Sequence, residues 1–221
     1  MAPFKWAPLD VPFARRAQTA AVLFILCIPL ILLVATTLAL ATSAWARFIL
    51  LVLYPCWMAW DWRTPWRGGR PSQWFRNTPV AKAARDFFPS QLVVTKALPL
   101  APPSLICVHP HGVISAGVLM SLLLNNAAHT ASHRIGDYRI ATVKINMVLP
   151  LWRELILLCG FVDASRAAIS YCLTHGLSVV VVVGGAVESL DAYPGSTELT
   201  LTKRAWRCRD SEYSVDDSSY Y

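Results

Sequence analysis

Along the chain, the spacing of apolar and polar positions changes character three times. A short Pro-containing basic arm, residues 1–18, gives way to an almost unbroken apolar stretch, 19–60, in which Arg47 is the single fixed charge. A bilayer core takes about 20 helical residues. The segment 19–42 therefore suffices for one crossing and 48–60 for a shorter, nearly complete or re-entrant return, with 43–47 as the turn. One long tilted helix is the alternative. Lys5, Arg15 and Arg16 precede the stretch, and Arg63, Arg67, Arg70, Arg76, Lys82 and Arg85 follow it. A transmembrane helical hairpin with both ends in the cytosol satisfies that charge distribution. Tryptophans at 45, 57, 60, 62 and 66 suit the membrane interface. The run far outlasts the roughly 7–15 apolar residues of a cleavable signal, so it is expected to stay in the mature protein.

Residues 61–103 are rich in Arg, Trp and Pro. They predict an interfacial connector lying on the surface, its charges either simply solvated or gathered into a headgroup site. From 104 onwards the pattern alternates. A short buried strand is expected at 104–108, an apolar helix at 113–125 and a strand at 138–145. Helices follow at 149–159 and 165–174, then a Val-rich strand at 177–183. Strands alternating with helices predict an α/β domain over 104–203 with a mainly parallel sheet and flanking helices. Residues 204–221 form a polar tail expected to be disordered.

Composition refines this picture at two points. Hydrophobic residues are 55% and charged residues 15% of the 221, a balance of the membrane class. The formal charge of +7 flanks the apolar stretch, which favours anionic lipid over nucleic acid as partner. The cysteines at 27, 56, 107, 159, 172 and 208 have no CxxC spacing, so neither a zinc site nor a disulfide scaffold is expected. A reducing, cytosol-facing domain is the simplest reading.

Two places concentrate chemistry. His109, Pro110, His111 and Gly112 lie directly after a predicted strand and before a predicted helix, where open α/β sheets bind their ligands. Proline keeps His109 extended, and Gly112 permits the turn into the helix. A neutral imidazole can take the proton of an alcohol attacking a thioester. His111, nearer the turn, is assigned as base and His109 an orienting role; the alternative is a pair of satisfied scaffold histidines. Gly184, Gly185 and Glu188 follow the last predicted strand, so backbone can approach a ligand there. Glu188 either orients a histidine or binds the acceptor hydroxyl, or else it is a helix N-terminal carboxylate. Arg153 is a candidate for phosphate contact, or for pairing near Glu154. A metal-dependent hydrolase built on HxH fails for want of further ligands and of the roughly 200 residues a barrel needs.

These elements resemble the type-2 diacylglycerol acyltransferase family, which includes monoacylglycerol and wax-alcohol acyltransferases. Phe87, Phe88 and Pro89 look like its YFP element with Phe for Tyr. Residues 109–112 match HPHG, 150–153 match PxxR, and Gly184, Gly185 and Glu188 match GGxxE within GGAVESLDAYPG. The resemblance covers about residues 85–203, and FILLVL at 48–53 faintly echoes the family's neutral-lipid-binding pattern without its terminal Asn. It implies an enzyme of the endoplasmic reticulum or lipid droplets, folded like glycerolipid acyltransferases. That enzyme moves a fatty acyl group from acyl-CoA, as co-substrate, to diacylglycerol or a related alcohol, with no metal or other cofactor. Because residues after Lys203 do not resemble the family, a C-terminal truncation is expected. With it comes the alternative of a catalytically silent member that binds lipid or associates with a full-length relative.

Overall fold

The computed structural model describes residues 11–88, 103–109, 115 and 137–183. Helix α1, Phe13–Thr42, has 30 residues and begins inside the expected basic arm. Arg15 and Arg16 therefore sit in its first turn, where the helix dipole disfavours cations. Each finds a carbonyl instead: Arg15 donates to Phe87 O at 2.8 Å and Arg16 to Val11 O at 3.0 Å. Further along, Thr36, Thr37 and Thr42 donate their hydroxyls to the carbonyls of Leu32, Leu33 and Leu38, so these polar groups need no water. Leu23, Leu26, Leu30, Leu33 and Leu38 stay exposed on a helix of crossing length with only 6% of its most apolar window buried. Membrane lipid is the solvent that suits such a surface.

The helix stops at Ser43, whose backbone is extended and whose Oγ caps α2, Ala44–Phe48, by accepting from Ala46 N at 3.2 Å. A π-helical turn, Ile49–Leu53, leads into α3, Tyr54–Trp60. The widening has a local cause: Pro55 lacks an N–H and crowds the carbonyl four residues back, and Tyr54 N bonds Ile49 O, five residues back. Among the described residues α1 is the helix of crossing length. The hairpin expected from the sequence is not established: its turn, 43–47, is a break at Ser43 followed by α2, and its return limb, 48–60, is the end of α2, a five-residue π-helical turn and the seven-residue α3.

The chain then passes through a 3₁₀ turn, Thr64–Trp66, α4, Gln73–Arg76, and α5, Pro79–Phe87. Helix α5 returns to pack against α1. Buried Ala21, Ala81 and Ala84 let the two helices approach closely. The Arg15 guanidinium lies 4.5 Å above the Phe87 ring, which meets Phe88 edge-on.

Beyond it lie β1, Leu105–Val108, β2, Tyr138–Thr142, β3, Phe161–Asp163, and β4, Ser178–Val182. All pairs are parallel, in the order β1-β4-β2-β3. Helices α6, Ile145–Val148, and α7, Trp152–Cys159, join β2 to β3, and α8, Arg166–Thr174, joins β3 to β4. The parallel α/β expectation is met, with two differences. β2 ends at Thr142 and residues 145–148 are helical; β3 was not anticipated. The helix expected at 113–125 and the tail lie outside the described residues. Alternating side chains fill both faces: Tyr138, Ile140 and Val180 on one, Val162, Cys172, Leu173 and Val179 on the other. Central β4 is thereby buried on both sides, which is why it reads as an unbroken valine run.

The connector departs most from its sequence reading. Instead of lying free on the surface, it is stitched along the α7–β3 side of the sheet. Gly68 O accepts from buried Arg139 Nε at 2.6 Å, Ser72 N donates to Leu158 O at 2.9 Å, and Arg76 Nε donates to Cys159 O at 2.8 Å. Gly69, at φ +64°, passes so near β3 that a Cβ would come 3.1 Å from Phe161 O. A sheet edge covered in this way offers little template for another strand.

Candidate active site

The site is built from strand ends. β1 and β4 are neighbours in register, Val108 opposite Val182, and Val183 N donates to Val108 O at 3.1 Å. His109 follows Val108 and Gly184 follows Val183. The chain thus enters HPHG and GGAVE from two adjacent strand exits, at the C-terminal edge where parallel sheets bind ligands. His109 is half-buried, and its Nδ1 is enclosed without a hydrogen-bond partner among the described residues. A buried ring nitrogen in that state calls for a partner. His111, Gly112, Gly184, Gly185 and Glu188 lie outside the described residues. Ser115, three positions beyond Gly112, has φ 49°, a conformation uncommon for a residue with a side chain.

The PxxR element sits at the same edge, after β2. Leu151 has φ 61° and ψ −43°, and Trp152 N bonds Pro150 O at 2.7 Å. That is a γ-turn of the rare, strained sense. The Tyr54 hydroxyl from α3 holds it, accepting from Leu151 N at 2.8 Å while donating to Glu154 Oε1 at 3.3 Å. Arg153, the next residue but one, is fully buried. Its guanidinium donates to Asp61 O at 2.6 Å, to Asp61 Oδ2 at 2.7 Å and to Glu154 Oε1 at 2.9 Å. Arg70 bridges the same two carboxylates and lies over Trp57. Two cations and two anions therefore balance, as burial requires.

Of the two readings of Arg153, the structure shows the pairing near Glu154, and the buried guanidinium has no surface left for a phosphate contact. Its bonds fasten the start of α7 to the end of α3. Tyr54, Asp61 and Arg70 were missed by sequence reasoning. A signal existed for Asp61: it is the first acidic residue after Asp10, directly beyond the apolar stretch. A charge there is costly unless paired.

The family model described as diacylglycerol acyltransferase matches residues 38–211, a span that takes in α3, the PxxR turn and both strand-exit motifs. The chain belongs to the diacylglycerol acyltransferase family. It is 37% identical over 168 residues to mouse diacylglycerol O-acyltransferase 2, covering 74% of this chain and 42% of that one. To bovine 2-acylglycerol O-acyltransferase 1 it is 33% identical over 204 residues, covering 90% and 61%. To human acyl-CoA wax alcohol acyltransferase 1 it is 37% identical over 167 residues, covering 75% and 50%. The chain thus spans between 42% and 61% of the length of these curated relatives. No solved structure matches it significantly.

Proposed function

We propose that this chain carries the machinery of a membrane-bound O-acyltransferase that moves a fatty acyl group from acyl-CoA to diacylglycerol, forming triacylglycerol. The observation that supports the reading is the parallel pairing of β1 with β4, from whose adjacent ends the chain leads into HPHG and GGAVE, with His109 Nδ1 enclosed and unpartnered among the described residues. In this scheme His111 takes the proton of the acceptor hydroxyl as its oxygen attacks the thioester carbonyl, and the coenzyme A thiolate leaves. His109 orients the site, Glu188 is its acidic partner, and Gly112, Gly184 and Gly185 allow backbone to approach the acyl donor. Arg153 acts indirectly, by holding the PxxR turn. The names of the relatives support diacylglycerol, monoacylglycerol and long-chain alcohols as the range of acceptors, and α1 supports a membrane location, proposed as the endoplasmic reticulum or lipid droplets with the site in the cytosol.

Membranes containing the full chain, supplied with labelled acyl-CoA and a panel of those three acceptors, provide the test. Triacylglycerol above an empty-membrane control is expected, and its loss in His111→Ala at unchanged expression identifies the base. Product from monoacylglycerol or alcohol alone would reassign the acceptor, and no product from any would overturn the reading.

A further inference from the structure

The sequence reading left the connector's charges undecided between solvation and a headgroup site. The connector and α8 flank an open groove of about 530 Å³ lined by Trp62, Arg63, Trp66, Arg67, Ala167 and Tyr171. A second hollow of about 290 Å³ adjoins it and shares Arg63 and Arg67. Both arginines are exposed, and neither side chain makes an ion pair or hydrogen bond among the described residues. The acidic side chain beside them, Asp61, is already taken by Arg153, Arg70 and the Thr64 hydroxyl. The groove therefore keeps its positive charge.

Its walls are held in place. Buried Pro65 pins the 3₁₀ turn between the two arginines. Gly68, at φ +84°, lies where a Cβ would come 2.8 Å from Leu177 Cδ1, and its carbonyl is fixed by Arg139. Trp62 and Trp66 stand tilted, 5.6 Å apart, and Tyr171 faces them, stacked on His175 at 3.8 Å. The groove also continues directly from α3, whose Trp57 and Trp60 form a second tilted pair at 5.2 Å. Tryptophans so placed mark the headgroup level of a bilayer, where anionic lipids attract arginine.

We infer that this groove binds the phosphate headgroup of an anionic phospholipid from the leaflet flanking α3. The phosphate oxygens accept from Arg63 and Arg67, and the aromatic walls flank the glycerol. The groove's adjacency to the α3 tryptophans selects lipid over a nucleotide phosphate as the occupant. Bound there, the headgroup sets how the sheet's C-terminal edge is presented to the membrane.

The test titrates dioctanoyl phosphatidic acid, dioctanoyl phosphatidylcholine, coenzyme A and inorganic phosphate into the purified full chain in non-ionic detergent, read calorimetrically. Saturable binding of phosphatidic acid is expected, at least about tenfold tighter than phosphatidylcholine, and Arg63→Gln with Arg67→Gln should weaken it by a further factor of about ten. The double Lys replacement should keep most of the affinity, and Lys82→Gln with Lys144→Gln, an equal charge change on exposed side chains elsewhere, should leave it unchanged. Equal binding of the two lipids, or an equal loss in the control, overturns the site. Displacement by coenzyme A as effective as by phosphatidic acid overturns the lipid as occupant. Because the readout is binding and not turnover, this result stands or falls separately from the acyl-transfer reading.

Discussion

Arg153 and Gly160 show how single residues set the terms for everything packed around them. Removing one member of a buried ion pair strands the other, at a cost of about 3–5 kcal/mol, whereas replacing both by apolar groups is often nearly neutral. Arg153→Met is therefore expected to destabilise the purified chain by about that amount in denaturant unfolding. Adding Asp61→Leu should restore part of the loss, since Glu154 then keeps Arg70. At Gly160 the backbone has φ +88°, and a Cβ would collide with the Arg76 guanidinium. Gly160→Ala should lower stability by more than about 1 kcal/mol, read as a falling thermal midpoint. Arg76→Ala as background should remove the collision but not the backbone strain. Arg153 was singled out beforehand with its pairing left open, because an arginine whose charge is matched inside the fold looks like one in water; Gly160 was not, because its collision partner, Arg76, lies far off in the sequence.

At the level of elements, legibility followed hydrophobic period. Central β4 announces itself as a valine run because both its faces are buried, and α8 because its apolar positions recur at helical spacing. β3 has three residues, Phe161, Val162 and Asp163, too few to show alternation between two helices. The connector hid for a different reason. From 61 to 76 it is held by backbone carbonyls, glycines and arginines, which leave no apolar pattern to read; only the stretch that becomes α5, with Ala81 and Ala84 buried, carries a helical period. That the chain leaves β1 and β4 at one edge was legible, because it follows from a parallel sheet alone. The joint between α3 and α7 is testable through Tyr54. Tyr54→Phe deletes both of its hydrogen bonds and leaves Leu151 N unpaired, a cost of about 1–3 kcal/mol. Hydrogen exchange should speed up at residues 151–154 while the β4 amides stay protected, and uniform acceleration would show that the contact serves global stability instead.

Across the whole molecule, burial makes the fold sensitive to alkali. Desolvation pushes the Cys159 thiol up to about 11 and the Tyr138 phenol up to about 12, and it raises Cys172 as well. Each group is held neutral in the folded state and ionises more easily once unfolded. Their contribution is therefore fully present below the ordinary thiol value of 9.0 and is lost as pH climbs through the folded values. Thermal midpoints should be level from about pH 7 to 9 and fall steadily above that. Cys159→Ala should flatten the first part of the fall. A midpoint independent of pH up to about 11 would mean that water reaches both groups.

The stitching of connector to sheet also has a consequence in time. Arg76 meets the Cys159 carbonyl 83 residues further along the chain. At a synthesis rate of about 5–20 residues per second, roughly 4–17 s pass between the two. During that interval the arginines and tryptophans of the connector have emerged, but the strand they will cover has not been made. Docking onto β3 therefore waits on the rest of the α/β fold, and the order of synthesis fixes that delay.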